Sequence, residues 1–185
     1  MSEETSTPRL KASIWTANLL LLVFFGTLAY LFVIRELRFF QVPSSSMKPT
    51  LLVGDWIFTL NEPEYQRGDI IVLWDEVGRE YLVKRIVGVE GDEISIEGGA
   101  LFLNGAYASE PYIAEPMQYQ FHPLGKVDAG QVLLLGDNRN ESDDSSVTHR
   151  TYPVEDIIGR VRYIYYPLER RHAVSRFPLA NVLGQ

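Results

Sequence analysis

Cysteine is absent from this chain of 185 residues. Its absence excludes disulfides, thiolate nucleophiles and metal sites that use cysteine ligands. Basic residues are also few, because 17 Lys and Arg stand against 24 Asp and Glu, which gives a formal net charge of -7. A general nucleic-acid binder usually carries a basic patch, so this balance argues against nucleic acid as a partner.

One long run near the N-terminus contains no charge. Residues 12–34, "ASIWTANLLLLVFFGTLAYLFVI", are long enough as a helix to cross a hydrocarbon core of roughly 30 Å. Trp15 and Tyr30 lie near its ends, where aromatic residues favour the membrane interface. A cleaved signal peptide would have a shorter apolar region of about 7–15 residues, followed by a small-residue cleavage site. We therefore expect an uncleaved transmembrane anchor, with a buried helix of a soluble core as the alternative.

The charges that flank the anchor do not predict its orientation. Arg9 and Lys11 precede it and Arg35 and Arg38 follow it, so the two counts of basic residues are equal.

The rest of the chain is predicted to be mainly β. Short runs rich in β-branched and aromatic residues alternate with Gly, Asn, Asp and Pro. The predicted strands cover 55–60, 69–74, 80–89, 92–98, 100–105, 131–136 and 157–167. The Gly-Gly centre of "ISIEGGALFL" predicts a tight hairpin. Residues 104–130, with "SEPYIAEP" and "FHPLG", predict an irregular excursion from the sheet.

The domain organisation that follows has three parts. A tail covers residues 1–11, the transmembrane anchor covers 12–34, and a β-rich catalytic domain covers 35–185 with the excursion at about 104–130.

Three consecutive serines follow the anchor in "VPSSSMKPTLLVGDW". Prolines on both sides favour an extended or turn conformation, in which Ser44 and Ser46 share one face and Ser45 points away. Three serines alone are typical of a turn. If one of them is a nucleophile, another residue must act as its base.

The three histidines offer little as that base. His122 precedes a proline, His172 lies in a basic tail, and His149 follows an acidic loop. His149 is the one plausible member of a Ser-His-Asp triad, and nothing else in the sequence indicates such a triad.

Lys84 is the base that the strand pattern favours. In "EYLVKRIVG" the two-residue period places Leu82, Lys84 and Ile86 on one face and Arg85 on the other. Apolar neighbours desolvate an ammonium group and lower the pKa of a lysine, so Lys84 could serve as a neutral base. Taken alone, the pattern also fits a lysine at a sheet edge whose ammonium reaches water. Lys48 is closer to the serines, but water in a loop would keep it charged, so it ranks second.

A polar loop, "LLLGDNRNESDDSS", follows another predicted strand. A calcium loop of the EF-hand type would need an oxygen ligand at the position of Arg139 and glycine at the position of Ser142, so that pattern fails. The remaining interpretations are a solvated turn and a hydrogen-bond hub whose Ser142 orients a neutral lysine.

Taken together, these segments resemble the type I signal peptidases. The resemblance rests on "PSSSMKPTLLVGD", "RGDIIV", "YLVKRIVGVEGD" and "GDNRNESDDS" in the order of that family, and it extends from the anchor to about residue 164. Members of the family are membrane-anchored Ser-Lys endopeptidases that remove signal peptides from exported proteins. The resemblance therefore implies a single N-terminal transmembrane helix followed by a β-rich catalytic domain of the signal peptidase type.

The resemblance assigns a role to each matching residue. The nucleophile is the serine before Met in Ser-x-Ser-Met-x-Pro-Thr, here Ser46. Ser44, two positions earlier, matches the hydroxyl that helps form the oxyanion hole with the Ser46 N–H. Lys84 matches the general base of Lys-Arg-x-x-Gly, and Ser142 matches the serine that orients it. Three more residues match positions that support the loop and the site: Asp137, Arg139 and Asp144.

The loop departs from the family's Gly-Asp-Asn-Arg-Asp-x-Ser-x-Asp-Ser-Arg at two positions. Asn140 replaces the first Asp after Arg, and Ser146 stands where the last Arg is common. The salt bridge from that Arg to Asp144 is then missing, and Arg150 is a candidate to replace it.

The resemblance also implies an acyl-enzyme mechanism that needs no metal and no other cofactor. The expected substrate is an extended signal peptide with small residues at the first and third positions before the cut, bound at a strand edge near Ser46. The anchor would hold the site at the lipid surface, with the catalytic domain on the extracytoplasmic face of a bacterial plasma membrane or, alternatively, of a thylakoid membrane.

Two other functions compete with this one. A soluble-type Ser-Lys autoprotease, such as an SOS-repressor-like domain, shares the dyad, but the anchor and the lack of a DNA-binding half argue against it. A membrane-tethered β-domain that only binds partners would leave Ser44, Ser46, Lys84 and Ser142 unexplained.

Overall fold

The computed structural model describes residues 8–33, 36–123 and 125–179. The chain separates into two units, of which the first ends at Leu37 and the second begins at Arg38.

The first unit is one helix, α1, over Pro8–Val33. It begins four residues before the predicted anchor, within the predicted tail, while residues 1–7 and 34 lie outside the described residues. The stretch Ile14–Phe32 has a mean hydropathy of 1.8 and none of it is buried in the protein. An apolar stretch of this length that is unburied over residues 14–32 fits a membrane anchor and argues against the helix of a soluble core.

The second unit is mainly β, as predicted, and contains all seven predicted strands with ends within two residues of those expected. The strands are β1 Leu37–Gln41, β2 Trp56–Leu60, β3 Ile70–Asp75, β4 Glu80–Gly88, β5 Ile94–Glu97, β6 Ala100–Leu103, β7 Ala106–Tyr107, β8 Gln131–Leu135, β9 Tyr152–Pro153, β10 Ile157–Tyr166 and β11 His172–Ala173. A short helix, α2, covers Ser145–Thr148, and 3-10 turns cover Arg139–Glu141, Val154–Asp156 and Leu168–Arg170. The four strands that the sequence did not predict have five residues or fewer.

Eight strands form the larger sheet. Their order is β1-β2-β10-β3-β4-β8-β9, with β11 also paired to β10. Strand β4 lies between β3 and β8, and the register pairs Lys84 with Ile71 and Arg85 with Leu135. Because β8 ends at Leu135, the polar loop that follows it begins beside Lys84.

Strands β5, β6 and β7 form a second, smaller sheet. The predicted Gly-Gly hairpin joins β5 to β6, and both Gly98 and Gly99 have positive φ, which glycine adopts without steric cost. The excursion is less irregular than predicted, because it contains β7 and returns to the small sheet through a bridge between Ile96 and Phe121. Phe121 is buried among the apolar residues of this sheet, and that burial fixes a segment whose prolines suggested only loop.

Three apolar clusters form the core of the second unit. One lies under the small sheet. Another joins Val42, Met47 and Leu51 to the strands of the large sheet, and the third includes Ile86, with Leu82 packed against it. The serine segment and the lysine strand are therefore both fixed by buried side chains that flank them.

Candidate active site

Ser46 lies in a turn whose next side chains are anchored in the core. Met47 and Leu51 are fully buried, and the Leu51 N–H donates to the Met47 carbonyl at 2.9 Å. Ser46 itself is only 7% exposed, and its Oγ lies 3.2 Å from Ser44 Oγ. The structure thus brings these two hydroxyls together, in the arrangement expected from their alternation in sequence.

Lys84 is buried on strand β4 with 4% of its surface exposed. Its neighbours two positions away, Leu82 and Ile86, belong to the same apolar cluster. Burial lowers the pKa of Lys84 below its usual value, while the negative charges of Asp144, Asp143 and Glu80 act in the opposite direction. The net lowering favours the neutral amine, which is the form that can accept a proton.

Ser142 is the hydrogen-bond partner of that amine. Lys84 Nζ donates to Ser142 Oγ over 3.0 Å. A neutral amine has two N–H groups and one lone pair, so this bond restricts the direction in which the lone pair points. The loop after β8 therefore contributes a hydrogen-bond partner of the Lys84 amine.

This loop is also joined to the serine turn. The Asn138 N–H donates to the Ser46 carbonyl at 2.9 Å, and Asn138 Nδ2 donates to the Ser45 carbonyl at 3.2 Å. A Cβ at Gly136 would overlap Ser142 Oγ and would lie 2.5 Å from the Ser46 carbonyl oxygen. The backbone at Gly136 thus approaches both site loops more closely than any residue with a side chain could.

Ser44, Ser46 and Lys84 line one cavity of about 440 Å³. Its walls are formed by residues 42–47, by Asp75, Val77, Gly78 and residues 80–84, and by Glu141, Asp143, Thr148, Arg150 and Tyr152. Ser142 is bonded to Lys84 but is not one of the residues that line the cavity. One cavity therefore borders both the buried Ser46 and the buried Lys84.

The other base candidates lie elsewhere. Lys48 is exposed. The ring of His149 stacks on Phe121 at 6.0 Å, and this residue ends helix α2 in a left-handed conformation. Within residues 8–33, 36–123 and 125–179, no three His, Asp or Glu side chains are arranged to hold a metal ion.

A family model described as "Signal peptidase, peptidase S26" matches residues 14–166. The chain belongs to this signal peptidase family. The probable signal peptidase I-2 of Synechocystis sp. is 37% identical over 149 residues, which cover 74% of this chain and 66% of that protein. The chloroplastic thylakoidal processing peptidase 1 of Arabidopsis thaliana is 34% identical over 162 residues, covering 76% of this chain and 47% of that protein.

A signal peptidase I P from Bacillus subtilis subsp. natto is 33% identical over 163 residues, which cover 79% of this chain and 88% of that protein. The crystal structure of a signal peptidase I from Enterococcus faecalis V583 matches 52% of this chain and 96% of its own, with 26% identity and a TM-score of 0.48. The chain thus spans slightly less than two thirds of the Synechocystis relative, about half of the Arabidopsis relative and most of the Bacillus one.

Asp137, which matches a supporting position of the signal peptidase loop, is completely buried against Arg85. The guanidinium donates from Nε and Nη2 to the two carboxylate oxygens, each at 2.7 Å, and Thr50 Oγ1 donates to the same carboxylate at 2.5 Å. Arg85 also donates to the Gly68 carbonyl at 2.8 Å and lies 3.9 Å from the centre of the Tyr112 ring. This ion pair ties the residue after Lys84 to the residue after Gly136.

Arg139, another supporting position of the signal peptidase loop, is buried with Glu110. Arg139 Nε donates to the Gly136 carbonyl at 3.0 Å, and both of its terminal nitrogens contact the Glu110 carboxylate. Burial alone would lower the pKa of Arg139, but the hydrogen bonds and charge of Glu110 raise it. The Arg139 guanidinium therefore stays charged, and its contacts with Glu110 and Gly136 hold the start of the loop.

Asp144 accepts local hydrogen bonds in place of the salt bridge that an arginine at position 146 would make. Its carboxylate accepts from the Gly136 N–H at 2.8 Å, from the Ser146 N–H at 3.0 Å and from Ser146 Oγ at 2.8 Å. Arg150 does not substitute for the absent arginine, because it pairs with Asp75 at 2.5 Å. The serine that stands in place of the arginine supplies the donor itself.

Sequence reasoning missed several residues that build this site. Gly136 and Asn138 contact the serine turn, and Thr50, Arg85 and Glu110 hold the loop carboxylate and guanidinium. No local sequence pattern marks these residues, because each has a contact partner tens of positions away in the chain. The strand pattern places Arg85 on the face away from Lys84, but nothing in the sequence indicates its partner.

Proposed function

We propose that this chain is a membrane-anchored serine endopeptidase that removes N-terminal signal peptides from exported preproteins. Its membership of the signal peptidase family and the names of its relatives support that activity. The observation that carries the mechanism is the burial of Lys84, with a lowered pKa and a bond to Ser142, in the cavity that contains Ser46.

In the proposed mechanism Ser46 is the nucleophile. Its Oγ attacks the scissile carbonyl while neutral Lys84 accepts the hydroxyl proton. The resulting ammonium then transfers this proton to the leaving amine, and the peptide bond breaks to give an acyl-enzyme on Ser46. Lys84 next takes a proton from a water molecule, which attacks the ester. The proton returns to Ser46 Oγ, and the cleaved signal peptide leaves with a free carboxylate.

The oxyanion of each tetrahedral intermediate needs donors. We assign these to the Ser44 hydroxyl and the Ser46 N–H. The 3.2 Å separation of Ser44 Oγ and Ser46 Oγ supports this assignment, because a donor so placed lies beside the carbon that Ser46 attacks.

The substrate proposed is an extended peptide with small residues at the first and third positions before the cut. Residues 42–47 and 80–84 both line the cavity, and their backbones offer groups to which such a peptide could bind as an added strand. Preproteins and the surrounding lipid are the partners that this activity requires.

We place the catalytic unit on the extracytoplasmic face of a bacterial plasma membrane, or of a thylakoid membrane. The exposed apolar helix α1 supports an anchor, and relatives are named for both bacterial and thylakoid enzymes. Protease added to intact cells should digest the catalytic unit, whereas protection of that unit would contradict this orientation.

The decisive experiment is a cleavage assay with the full-length protein in detergent. A preprotein with an Ala-x-Ala site should be shortened at that site, and a matched preprotein with Phe at the last position should not. The Ser46→Ala variant is the control. If the wild type leaves a competent preprotein intact, the chain is better explained as a tethered binding domain.

A further inference from the structure

The loop that carries Ser142 is held from a second side by residues 110–118 of the excursion, here called the clamp segment. Both terminal nitrogens of Arg139 contact the Glu110 carboxylate. Arg139 Nη1 also lies 3.3 Å from Met117 Sδ. Tyr112 Oη donates to the same Glu110 carboxylate at 2.6 Å. Glu110, Met117 and Arg139 are buried and Tyr112 is half-buried, so these contacts fix the clamp segment against the loop, while Glu115, Pro116 and Gln118 are exposed.

Asn140 makes a further set of contacts with the same segment. Its Oδ1 accepts from the Gln118 N–H at 2.8 Å. Its Nδ2 donates to Glu115 at 2.7 Å and to the Pro116 carbonyl at 3.1 Å. An aspartate could accept the first bond but could make neither of the other two, and its charge would face that of Glu115. The amide at this position is therefore matched to the acidic clamp segment of this chain.

The clamp is connected to Lys84 through a short path. Asn140 is the middle residue of a 3-10 turn, Arg139–Glu141, and Ser142 follows directly. The other end of the loop is fixed by the bond from Arg139 Nε to the Gly136 carbonyl. A displacement of the turn would therefore move Ser142 Oγ away from Lys84 Nζ.

We propose that the clamp segment positions the catalytic lysine, and that Asn140 is the positioning residue through which it acts. This inference rests on the proposed function, because it assigns the excursion a part in the same reaction. The small sheet and its excursion are then a support for Ser142 and Lys84 as well as a separate piece of core.

The test introduces a carboxylate where the amide stands. In Asn140→Asp the new charge faces Glu115 and two hydrogen bonds are lost, so the turn should move and water should reach Lys84. We expect kcat to fall by roughly 10- to 100-fold, with KM changing by less than about threefold. The pKa of Lys84 should rise toward its usual value, and the acid limb of the pH profile should move to higher pH.

The pKa of Lys84 can be measured without activity. The chain has four lysines, at positions 11, 48, 84 and 126. In full-length protein labelled with 13C-lysine, the Cε signal that disappears in Lys84→Met belongs to Lys84, and its shift can be followed with pH. If the wild type cleaved no preprotein, the proposed function would fail, and this titration would still decide whether the clamp acts on Lys84.

Asn104→Asp is a matched control in the small sheet. Asn104 Oδ1 accepts from the Glu93 N–H at 2.8 Å and its Nδ2 donates to Asp92 at 3.0 Å, so the same change again faces a carboxylate. This variant should lose comparable stability but should keep kcat and the Lys84 titration of the wild type. Adding Glu115→Gln to Asn140→Asp removes the repulsion, and it should recover much of kcat and lower the pKa of Lys84 again.

Asn140→Ala covers the case in which Asn140→Asp fails to fold, because it removes the bonds without adding charge. A Lys84 titration in Asn140→Ala or Asn140→Asp that coincides with that of Asn104→Asp would overturn the proposal. Loss of kcat without any change in that titration would overturn it as well, since the defect would then lie elsewhere.

Discussion

Lys84 Nζ donates to Ser142 Oγ over 3.0 Å, although 58 positions separate the two residues in the chain. Strand pairing explains how they meet, because β8 lies beside β4 and the loop that carries Ser142 begins where β8 ends. The bond occupies one N–H of the amine, and burial disfavours the charged form. Orientation and protonation state of the proposed base thus both follow from this arrangement.

Replacing Lys84 by Met should abolish cleavage and should stabilise the fold near neutral pH. The pKa of Lys84 is lowered from 10.5 in the folded protein, first of all by burial. Between that lowered pKa and 10.5 the unfolded chain binds more protons, so the free energy of unfolding rises with pH in this window. Below the folded pKa the full penalty for burying the ammonium is present, and Met removes it.

Thermal unfolding of full-length Lys84→Met and wild type, from about pH 6 to about pH 10, measures this effect. The difference in Tm should be largest at the acid end and should shrink as pH rises. An equal difference at every pH would mean that Lys84 is not neutralised in the fold.

Replacing Asp143 by Asn should move the acid limb of kcat/KM to lower pH. The exposed Asp143 carboxylate lines the cavity, and its charge raises the pKa of Lys84 against the larger effect of burial. A neutral amide no longer stabilises the ammonium, so Lys84 stays neutral at lower pH.

Asp128→Asn changes the net charge equally at an exposed position of the excursion and serves as the control. Its pH profile should match that of the wild type. A shift of the acid limb of kcat/KM to higher pH in Asp143→Asn would contradict the assignment of Lys84 as the base.

The fold was largely predictable because most of its strands have a local sequence pattern of β-branched and aromatic residues. The β-branched runs predicted seven of the strands, and Gly98-Gly99 predicted the hairpin between β5 and β6. Strand β7 has two residues and could not be recognised, since its pairing depends on β6 rather than on its own sequence. The order of strands in the sheets had no local signal at all.

The serine and lysine positions were also accessible from the sequence, through alternation and motif. The residues that hold them were not, because ion pairs such as Arg85 with Asp137 and Arg139 with Glu110 join segments distant in the chain. The proposed substitute for the missing loop arginine, Arg150, was wrong for the same reason: its partner Asp75 lies 75 positions away.

Gly136→Ala should impair both folding and catalysis. The new methyl group would overlap Ser142 Oγ and press on the Ser46 carbonyl, so the two site loops must separate. Overpacking of this kind typically costs about 1–3 kcal/mol, and a displacement near 1 Å can reduce turnover by about 100-fold. Kinetics and thermal unfolding together measure the two effects.

Gly26→Ala in helix α1 is the comparison, because an added methyl group there meets nothing within 4 Å in the protein. It should leave kcat unchanged. Wild-type turnover in Gly136→Ala would show that the close approach is not required.

Asp137→Asn should destabilise the catalytic unit by about 3–5 kcal/mol, because it leaves the buried Arg85 without its counter-charge. The double variant Arg85→Met with Asp137→Leu should lose much less, since no charge is then stranded. Urea unfolding of the full-length protein in detergent measures each loss.

Glu62→Gln tests a half-exposed pair with Arg162, in which the side chains are 22% and 38% exposed; Glu62 also lies 3.8 Å from Arg160. That change should cost less than about 1 kcal/mol. If Asp137→Asn cost no more than Glu62→Gln, the buried pair would not be what holds the loop to β4.

The three serines should differ sharply when each is changed to Ala. Ser46→Ala removes the proposed nucleophile and should abolish cleavage. Ser44→Ala removes a proposed oxyanion donor 3.2 Å from Ser46 Oγ and should reduce kcat by about 10²–10³-fold. Ser45→Ala should be the mildest change, because the bonds that Ser45 makes to Lys48 and Asn138 use its backbone carbonyl.

Single-turnover cleavage of the Ala-x-Ala preprotein separates these cases, with KM measured alongside. Thermal unfolding should show all three variants folded, so that a loss of rate reports chemistry. A Ser45→Ala variant as slow as Ser44→Ala would mean that the turn, rather than the Ser44 hydroxyl, limits the reaction, and the oxyanion role proposed for Ser44 would have to be withdrawn.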